Sequence, residues 1–320
     1  MSAMTIESYC QPFSGADNSW PDLPLADDAA AHWWTQWMAN NAEAEHWTEL
    51  RKVLPQLWIK PQQDVCKTER YKALVLRGET TEPIDKEQAP QLSDPQGFRF
   101  FLKKHPCGTL PVMTFENHDD FVLAKRCLAH RGEPVNVQPS VHAQAIAGLI
   151  HWGLIRDVSR QQRCEILMLH RAPYSSLPVS MIPGQDEPEL WIDLSQTWRL
   201  EHELTHIACK RLVGEMRINL FDELIADAIG MLTALGYFNA EVFRHGLGLN
   251  AKGGIMDGAR ALVYLENLDL AEHRKACQMV LKRAEELEGL LLEGKITSHP
   301  IELLRYLTRC RLDQPLTPTI

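Results

Sequence analysis

The strongest constraint on the fold is the pentapeptide HELTH, which places His202 and His206 four residues apart with Glu203 between them. Histidines four apart on an α-helix point about 40° from one another, so both imidazoles can reach one ion. Glu203 lies about 60° round from His206, where its carboxylate can hold a water on the open side of that ion. The HExxH spacing therefore requires a helix, and it predicts two zinc ligands and a general base.

The residues around the motif predict where this helix begins and ends. Residues 189–194, ELWIDL, indicate a strand just upstream, with an edge on which an extended peptide could pair. Asp193 or Ser195 can then cap a helix that runs through Leu212 and stops at Gly214. The loop at residues 172–188 could lie beside the resulting cleft.

A catalytic zinc site takes a third protein ligand and keeps one position open. In NLFDELIADAIGML, Asn219 predicts the start of a second helix and Gly236 its end. Glu223 and Asp227 share one face of this helix with three small residues, Ala226, Gly230 and Ala234. Small residues would let the helix lie close to the motif helix and bring Glu223 to the metal. The alternative is that both carboxylates are exposed charges on a solvated face.

HELTH followed by DELIADAIG resembles the pattern of glutamate-type zincins (gluzincins). It is similar in particular to the HtpX-like and CAAX-prenyl endopeptidase group, whose second motif has the form E-x-x-A-D. This resemblance implies that Glu223 is the third zinc ligand. It also implies that Asp227 is a supporting carboxylate that fixes the tautomer of a ligand histidine.

A third segment, TSHPIELLRYL at residues 297–307, resembles the C-terminal T-H-P-x-x-x-x-R signature of the same group. The resemblance implies that His299 and Arg305 lie near the cleft and stabilise the oxyanion or order the site. Taken alone, His299-Pro300 is only a helix entry with proline in the first turn. The matched positions are sparse and lie within residues 198–307, and the transmembrane helices of that group have no counterpart in the sequence.

Charge and hydropathy exclude several classes of protein. The 320 residues have a formal net charge of −9, which argues against nucleic acid as a main partner. No apolar run approaches the roughly 18–20 residues that span a bilayer, and the N-terminus lacks the pattern of a secretory signal. The eight cysteines are scattered without ligand spacing. We therefore expect a soluble cytoplasmic protein without an integral membrane segment, whose oligomeric state the sequence leaves open.

The expected fold class is α+β, with two regions. Residues 1–135 form an α+β region of unknown role, and residues 136–320 form a mostly helical, zincin-like domain with a small sheet next to the HExxH helix. Further strands are predicted at residues 98–102, 111–115 and 165–170, and a long surface loop at residues 60–97. Helices are predicted at residues 119–132 and 140–154, and over most of the chain after residue 195.

These observations lead to the hypothesis of a soluble zinc-dependent metallopeptidase that acts on a peptide or protein. His202, His206 and Glu223 would bind Zn²⁺, and Glu203 would serve as general base and then acid. One alternative is a catalytically inactive zincin-fold protein with a binding or regulatory role. Glu203 argues against it, because a structural zinc site needs no general base. The other alternative is a helical protein in which HELTH is coincidental.

Several further residues are weaker candidates. Besides His299 and Arg305, three side chains could supply an oxyanion donor without being ranked: Tyr237, His245 and Tyr264. The remaining histidines have no ligand spacing and are expected to be surface or core residues: His32, His46, His105, His118, His130, His142, His151, His170 and His273.

Overall fold

The chain divides into two units of different make-up. The sheet unit comprises Leu23–Ala172, and the helical unit comprises Met1–Asp22 and Pro173–Ile320. The computed structural model describes residues 4–43, 46–79 and 89–319 of the chain. The α+β class is confirmed, and no helix in these ranges is long and apolar enough to cross a membrane. The division falls after residue 172 instead of near residue 135, because strands on both sides of residue 135 share one sheet.

The regular elements follow one another along the chain in a mixed order. The strands are β1 (Phe98–His105), β2 (Gly108–Phe115), β3 (Ala143–Leu149) and β4 (Cys164–His170). The helices of the described residues are α1 (Ile6–Tyr9), α2 (Ala29–Asn40), α3 (His46–Val53), α4 (Glu69–Tyr71), α5 (His118–Leu128), α6 (Trp152–Asp157), α7 (Pro188–Val213), α8 (Leu220–Leu235), α9 (Ala240–Leu247), α10 (Ala261–Leu265), α11 (His273–Leu292) and α12 (Pro300–Leu307).

The sheet unit is built on four strands in the order β1-β2-β4-β3. β1 and β2 form an antiparallel hairpin, β2 and β4 run parallel, and β3 is antiparallel to β4. Phe115 at the end of β2 lies opposite His170 at the end of β4, so the carboxyl ends of the parallel pair share one edge. At this edge Asn117 caps α5, since its side chain accepts hydrogen bonds from two backbone N–H groups of the first turn.

Aromatic side chains fill the core of the sheet unit. Trp34 and Trp37 of α2 pack edge-to-face with each other, and both contact Phe100 of β1. Phe115 contacts Phe121 of α5 on the same side. Each large ring buries apolar area and holds its neighbour in a preferred geometry, so the helices are fixed on the sheet.

Two predictions for this unit need correction. Residues 140–154, predicted to be one helix, form β3 and the short helix α6. The alanines of β3 favour a helix locally, but the segment pairs with β4 from Ala143 to Leu149, with a bulge around Gly148 at φ 75°. Tertiary pairing outweighs weak local propensity here.

The region predicted to be a long loop is also partly ordered. Residues 60–97 contain α4 and short 3-10 and π turns at Val65–Lys67, Lys72–Leu76 and Pro95–Gly97. Residues 80–88 of the predicted loop lie outside the described residues. The strands predicted at residues 98–102, 111–115 and 165–170 are confirmed, and so is the helix predicted at residues 119–132, which forms α5.

In the helical unit, the strand predicted at residues 189–194 is wrong, because these residues form the first turns of α7. Pro188 occupies the first turn, where its missing N–H is harmless. Every third or fourth residue of this segment is buried, as in a helix with one face turned inward: Trp191, Ser195, Trp198 and His202. The edge proposed for peptide pairing is therefore not a strand edge. α7 ends at Gly214, which adopts the left-handed conformation at φ 73°.

The second predicted helix of this unit is confirmed as α8. The Asn219 side chain accepts hydrogen bonds from the backbone N–H groups of Phe221 and Asp222, and Gly236 ends the helix at φ 81°. Gly230 marks a close approach to α7, because a Cβ there would lie 2.4 Å from Cδ1 of Trp198. The small residues of α8 thus allow its first turn to face the motif helix.

Candidate metal centre

α7 and α8 bring His202, His206 and Glu223 together into what we call the α7–α8 cluster. The two Nε2 atoms are 3.1 Å apart. Glu223 Oε2 is 3.5 Å from His202 Nε2, and its Oε1 is 3.2 Å from His206 Nε2. Ligand atoms about 2.0–2.2 Å from a tetrahedral zinc ion are about 3.3–3.6 Å from one another. The three side chains therefore form a triangle of the size that such an ion requires.

Each imidazole of the cluster is held from behind by a carboxylate. His202 Nδ1 is 2.8 Å from Asp227 Oδ1, and His206 Nδ1 is 3.1 Å from Asp222 Oδ2. A carboxylate at Nδ1 keeps the proton there and turns the Nε2 lone pair towards the other ligands, as in known carboxylate–histidine–zinc arrangements. Asp227 thus lies where the resemblance implies. Asp222, which was not predicted, does for His206 what Asp227 does for His202.

One buried oxygen atom of the cluster has no hydrogen-bond partner among the described residues. This atom, Glu223 Oε2, is inaccessible to solvent. A buried carboxylate oxygen without a partner is unfavourable by about 1–3 kcal/mol or more. It lies 3.5 Å from His202 Nε2. The donor set therefore fits a metal ion, which would satisfy this oxygen directly.

Charge balance leads to the same conclusion. The carboxylates of Asp222, Glu223 and Asp227 are buried and, among the described residues, have one guanidinium in ion-pair contact, that of Arg260. With neutral imidazoles, these groups leave an excess of two negative charges in a buried pocket. Uncompensated buried charge is strongly unfavourable. A divalent cation between the imidazoles and Glu223 would balance that excess.

The pKa shifts of the cluster follow from this excess of negative charge. Burial opposes a charge on His206, but the carboxylates of Asp222 and Glu223 outweigh it and raise the His206 pKa well above its usual range. Burial also opposes the charge on Glu223, yet His202, His206 and Arg260 lower its pKa overall. The pocket thus favours a positive charge between the imidazoles, and a metal ion would replace the proton there.

Arg260, which precedes α10, connects the supporting groups. Its Nη2 pairs closely with Asp227 Oδ2 and is 3.8 Å from Glu223 Oε2. Its Nη1 donates to the hydroxyl of Tyr174 at 2.9 Å, and that hydroxyl also bonds to Asp227. Trp198 adds a hydrogen bond from Nε1 to Asp227 Oδ1 at 3.2 Å. Three side chains besides His202 therefore contact Asp227. They hold its carboxylate in the position from which it orients the His202 imidazole.

Tyr174 comes from the loop that was predicted to lie beside the cleft. Its ring stacks on Trp198 with the centroids 4.0 Å apart, and its backbone N–H donates to the Ser195 hydroxyl at 3.0 Å. Trp191 holds the next turn of the loop through a hydrogen bond to the Leu177 carbonyl. The unexpected first turns of α7 thus serve as the platform on which this loop is fixed.

Glu203 follows His202 on α7 and is only partly buried, unlike the carboxylates behind the imidazoles. Its charge interacts with the buried guanidinium of Arg199, one turn earlier on the same helix. The HExxH spacing on a continuous helix turns Glu203 to the flank of the two ligand histidines. Its carboxylate is therefore partly solvated and one residue from His202 along the helix.

The sequence model of DUF7005, a family of unknown function, matches residues 6–165 and 160–314 of the chain. The chain belongs to this family. No curated protein and no solved structure is significantly similar to it. The DUF7005 match covers the whole α7–α8 cluster but brings no assigned activity. The resemblance to gluzincins therefore rests on the motif residues alone.

In this DUF7005 protein, His299 and Arg305 have other contacts. His299 is exposed and precedes α12, and its backbone N–H donates to the Thr297 hydroxyl. The Arg305 guanidinium lies 4.8 Å over the ring of Trp20 and 3.6 Å from Glu302. In the described part of the chain, none of these contacts involves the α7–α8 cluster. The guanidinium that does contact the cluster is that of Arg260, which was not predicted.

Of the three unranked donor candidates, Tyr264 is the one with an interaction at the cluster within the described residues. Burial and the negative charge of the nearby Glu223 carboxylate raise the Tyr264 pKa well above its usual range. The phenol therefore stays protonated and remains a donor. Tyr237 instead donates to the Pro183 carbonyl, and His245 lies beside Arg244 and Glu241.

Proposed function

We propose that this chain is a zinc-dependent metallopeptidase in which His202, His206 and Glu223 bind the ion and Glu203 is the general base. The observation that supports this most strongly is the ligand triangle with its unpartnered Glu223 oxygen. A structural site would need no carboxylate on its open flank, and zinc sites of that kind are closed by a fourth protein ligand. The cluster offers three ligands, and we assign Glu203, next to His202 in the chain, as the base.

A bound zinc ion would supply Lewis acidity that activates a water and polarises the scissile carbonyl. Glu203 would accept the proton of the attacking water and deliver it to the leaving amine. With the ion bound, Asp227 and Asp222 would hold the ligand imidazoles as neutral Nδ1–H tautomers, so that both Nε2 lone pairs face inward. Tyr264, protonated beside Glu223, is the proposed hydrogen-bond donor to the developing oxyanion.

The proposed substrate is a peptide or protein, and the proposed location is the cytoplasm. None of the eight cysteines, all of which lie in the described residues, forms a disulfide, and six of them are buried. Free buried thiols are typical of a reducing compartment. Zinc is preferred over magnesium or calcium, because two of the three ligands are imidazole nitrogens.

The proposal is tested by metal analysis and proteolysis with three variants. Wild-type protein is expected to hold zinc in the α7–α8 cluster and to cleave an unfolded casein-type substrate. Glu203→Gln should keep that zinc and lose turnover, whereas His206→Asn should lose both. Glu285→Gln, at an exposed position of α11, is the matched carboxylate control and should behave as wild type.

Two outcomes would contradict the proposal. Retention of full activity by Glu203→Gln would exclude the assigned base. Zinc bound by wild type without cleavage of any member of a broad peptide library would instead favour a binding or regulatory role for the same cluster.

A further inference from the structure

A second group of histidines lies in the sheet unit, at the edge where β2 and β4 end. His170 is the last residue of β4, and His142 directly precedes β3, which is antiparallel to it. His118 is the first residue of α5, after the two residues that follow β2. Ligand sites in sheets that contain parallel strands are commonly found outside the carboxyl ends of those strands. We call these residues the three-histidine cluster.

The three imidazoles converge closely. His142 Nδ1 and His170 Nδ1 are 2.9 Å apart. The ring centroid of His118 lies 5.0 Å from that of His170 and 5.5 Å from that of His142. One ring nitrogen from each of the three residues lies within 4.8 Å of the others. Such convergence at the end of a sheet allows all three to reach a single ion.

Backbone contacts hold these rings in place. The backbone N–H of His170 donates to the His142 carbonyl at 2.8 Å, which continues the pairing of β3 with β4. His118 Nε2 is 3.3 Å from the Val141 carbonyl, and a carbonyl can only accept a hydrogen bond. The lone pair of neutral His118 is therefore on Nδ1. Ligand histidines commonly donate their other ring N–H to a backbone carbonyl in this way.

A hydrogen-bonded pair of histidines beside a stacked ring is the simpler interpretation of this group. Two neutral imidazoles 2.9 Å apart can share one proton, and His118 also stacks on Phe121. That interpretation gives no reason for the third imidazole to converge on the pair. A metal ion does: to reach tetrahedral spacing the two Nδ1 atoms would separate by about 0.4 Å, and the His118 nitrogen, which lies within 4.8 Å of the other two ligand atoms, would approach them.

We propose that His118, His142 and His170 form a second metal site, which binds one transition-metal ion of the zinc class through three imidazole nitrogens. Neutral nitrogen donors without an oxygen ligand favour Zn²⁺, Co²⁺, Ni²⁺ or Cu²⁺ over Mg²⁺ and Ca²⁺. His118 and His142 are partly exposed, which gives an ion access, while His170 is 9% exposed. The site shares no residue with the α7–α8 cluster and does not depend on the proposed peptidase activity.

The test is a titration of the full chain with Co²⁺ at neutral pH, followed by visible absorption, with Zn²⁺ competition to confirm the sites. Wild type is expected to bind two equivalents. His118→Gln and His142→Asn should each bind one, His206→Asn should bind one, and His142→Asn combined with His206→Asn should bind none. His130→Asn, near the end of α5 and outside the cluster, is the matched control and should bind two.

His118→Gln changes a partly exposed residue at a helix start, so its folding can be verified by circular dichroism. If both single variants of the three-histidine cluster are folded and still bind as many equivalents as wild type, the second site is wrong. Binding of Co²⁺ to that cluster only near millimolar concentration would likewise overturn it. Failure of the α7–α8 cluster would be seen separately, as the absence of any effect of His206→Asn.

Discussion

The two histidine clusters of this molecule differ in where their residues come from and in the charge around them. The α7–α8 cluster takes its ligands from two consecutive helices and includes a carboxylate, and each of its imidazoles is backed by an aspartate. The three-histidine cluster takes its residues from the ends of a sheet and contains imidazoles alone. The first cluster places the buried carboxylates of Asp222, Glu223 and Asp227 around the ion that it would bind.

This difference indicates different chemistry for a bound ion. Where carboxylates balance the charge of a dication, the ion is held tightly and the positive charge seen by a substrate is reduced. Where three neutral imidazoles are the ligands, the full charge remains, and the ion is a stronger acid for a fourth ligand. Of the four predictions below, the first two test whether the clusters are as independent and as different as the structure indicates, and the last two test the framework of the two units that contain them.

The largest effect is expected from Glu203→Gln, which removes the proposed base from one cluster and leaves the other unchanged. Peptide hydrolysis should fall by about 10²–10⁴-fold in kcat/KM, the usual contribution of general acid–base catalysis. Zinc content should stay at the wild-type value. His118→Gln should leave kcat/KM within about twofold of wild type, and a loss as large as that of Glu203→Gln would mean that the clusters do not act independently.

The supporting carboxylates should matter next. Asp227→Asn removes the charge behind His202 and should weaken zinc binding at the α7–α8 cluster by about 10–100-fold, as is typical of such partners. Asp222→Asn should act in the same sense through His206. Competition with a chromophoric chelator measures both. The affinity of the three-histidine cluster should not change, and an equal loss there would show that Asp227→Asn perturbs the whole fold.

The contact between α7 and α8 can be tested without touching a ligand. Gly230→Ala places a Cβ 2.4 Å from a Trp198 ring atom, so the helices must separate and the protein should lose about 1–3 kcal/mol in its free energy of unfolding. Gly289→Ala in α11 is the matched control, because its Cβ would meet nothing within 4 Å. It should be neutral or stabilising by about 0.5–1 kcal/mol. Chemical denaturation distinguishes the two, and equal stability of the variants would contradict the close approach.

The smallest effect concerns His151, a buried histidine of the sheet unit that belongs to neither cluster. Its Nδ1 accepts the Leu154 N–H at 3.0 Å, and burial lowers its pKa to about 3. In the unfolded chain His151 takes up a proton near pH 6.5, whereas in the folded chain it stays neutral down to about pH 3. The free energy of unfolding is therefore unaffected by His151 above pH 6.5, and it decreases by about 1.4 kcal/mol per pH unit as the pH falls from there towards 3.

His151→Asn keeps a capping side chain but cannot titrate, so its stability should fall less steeply below pH 6.5 than that of wild type. Urea midpoints measured at pH 7 and pH 5 give the comparison. Parallel pH dependence of wild type and variant would contradict the buried neutral state of His151.

Local signals account for the parts of the α7–α8 cluster that the sequence predicts. The cap at Asn219, the stop at Gly236 and the HExxH spacing are short-range features, and they correctly indicate α8 and the motif on a helix. The small residues of α8 also predicted its close packing, which Gly230 makes possible. Arg260 has no such signal, because it reaches Asp227 from a segment far along the chain.

The three-histidine cluster shows where local signals fail. His118, His142 and His170 have no ligand spacing, because sheet topology and not a helical period brings them together. The wrong helix prediction for β3 hid the position of His142. A weak signal was nevertheless present: one predicted strand ends at His170, and another ends just before His118. Residues that follow buried strands are worth comparing for shared chemistry even when they are distant in sequence.

The short connection between α7 and α8 has a consequence for how the protein folds. All three proposed ligands of the α7–α8 cluster lie between His202 and Glu223, on two helices joined by a turn from Gly214 to Asn219. Closing so short a loop loses little chain entropy, and contacts near in sequence form early. We therefore expect this hairpin to assemble, and to capture an ion, before the sheet brings the ends of β2 and β4 together. Metal present during refolding would then act as a template for the helical unit.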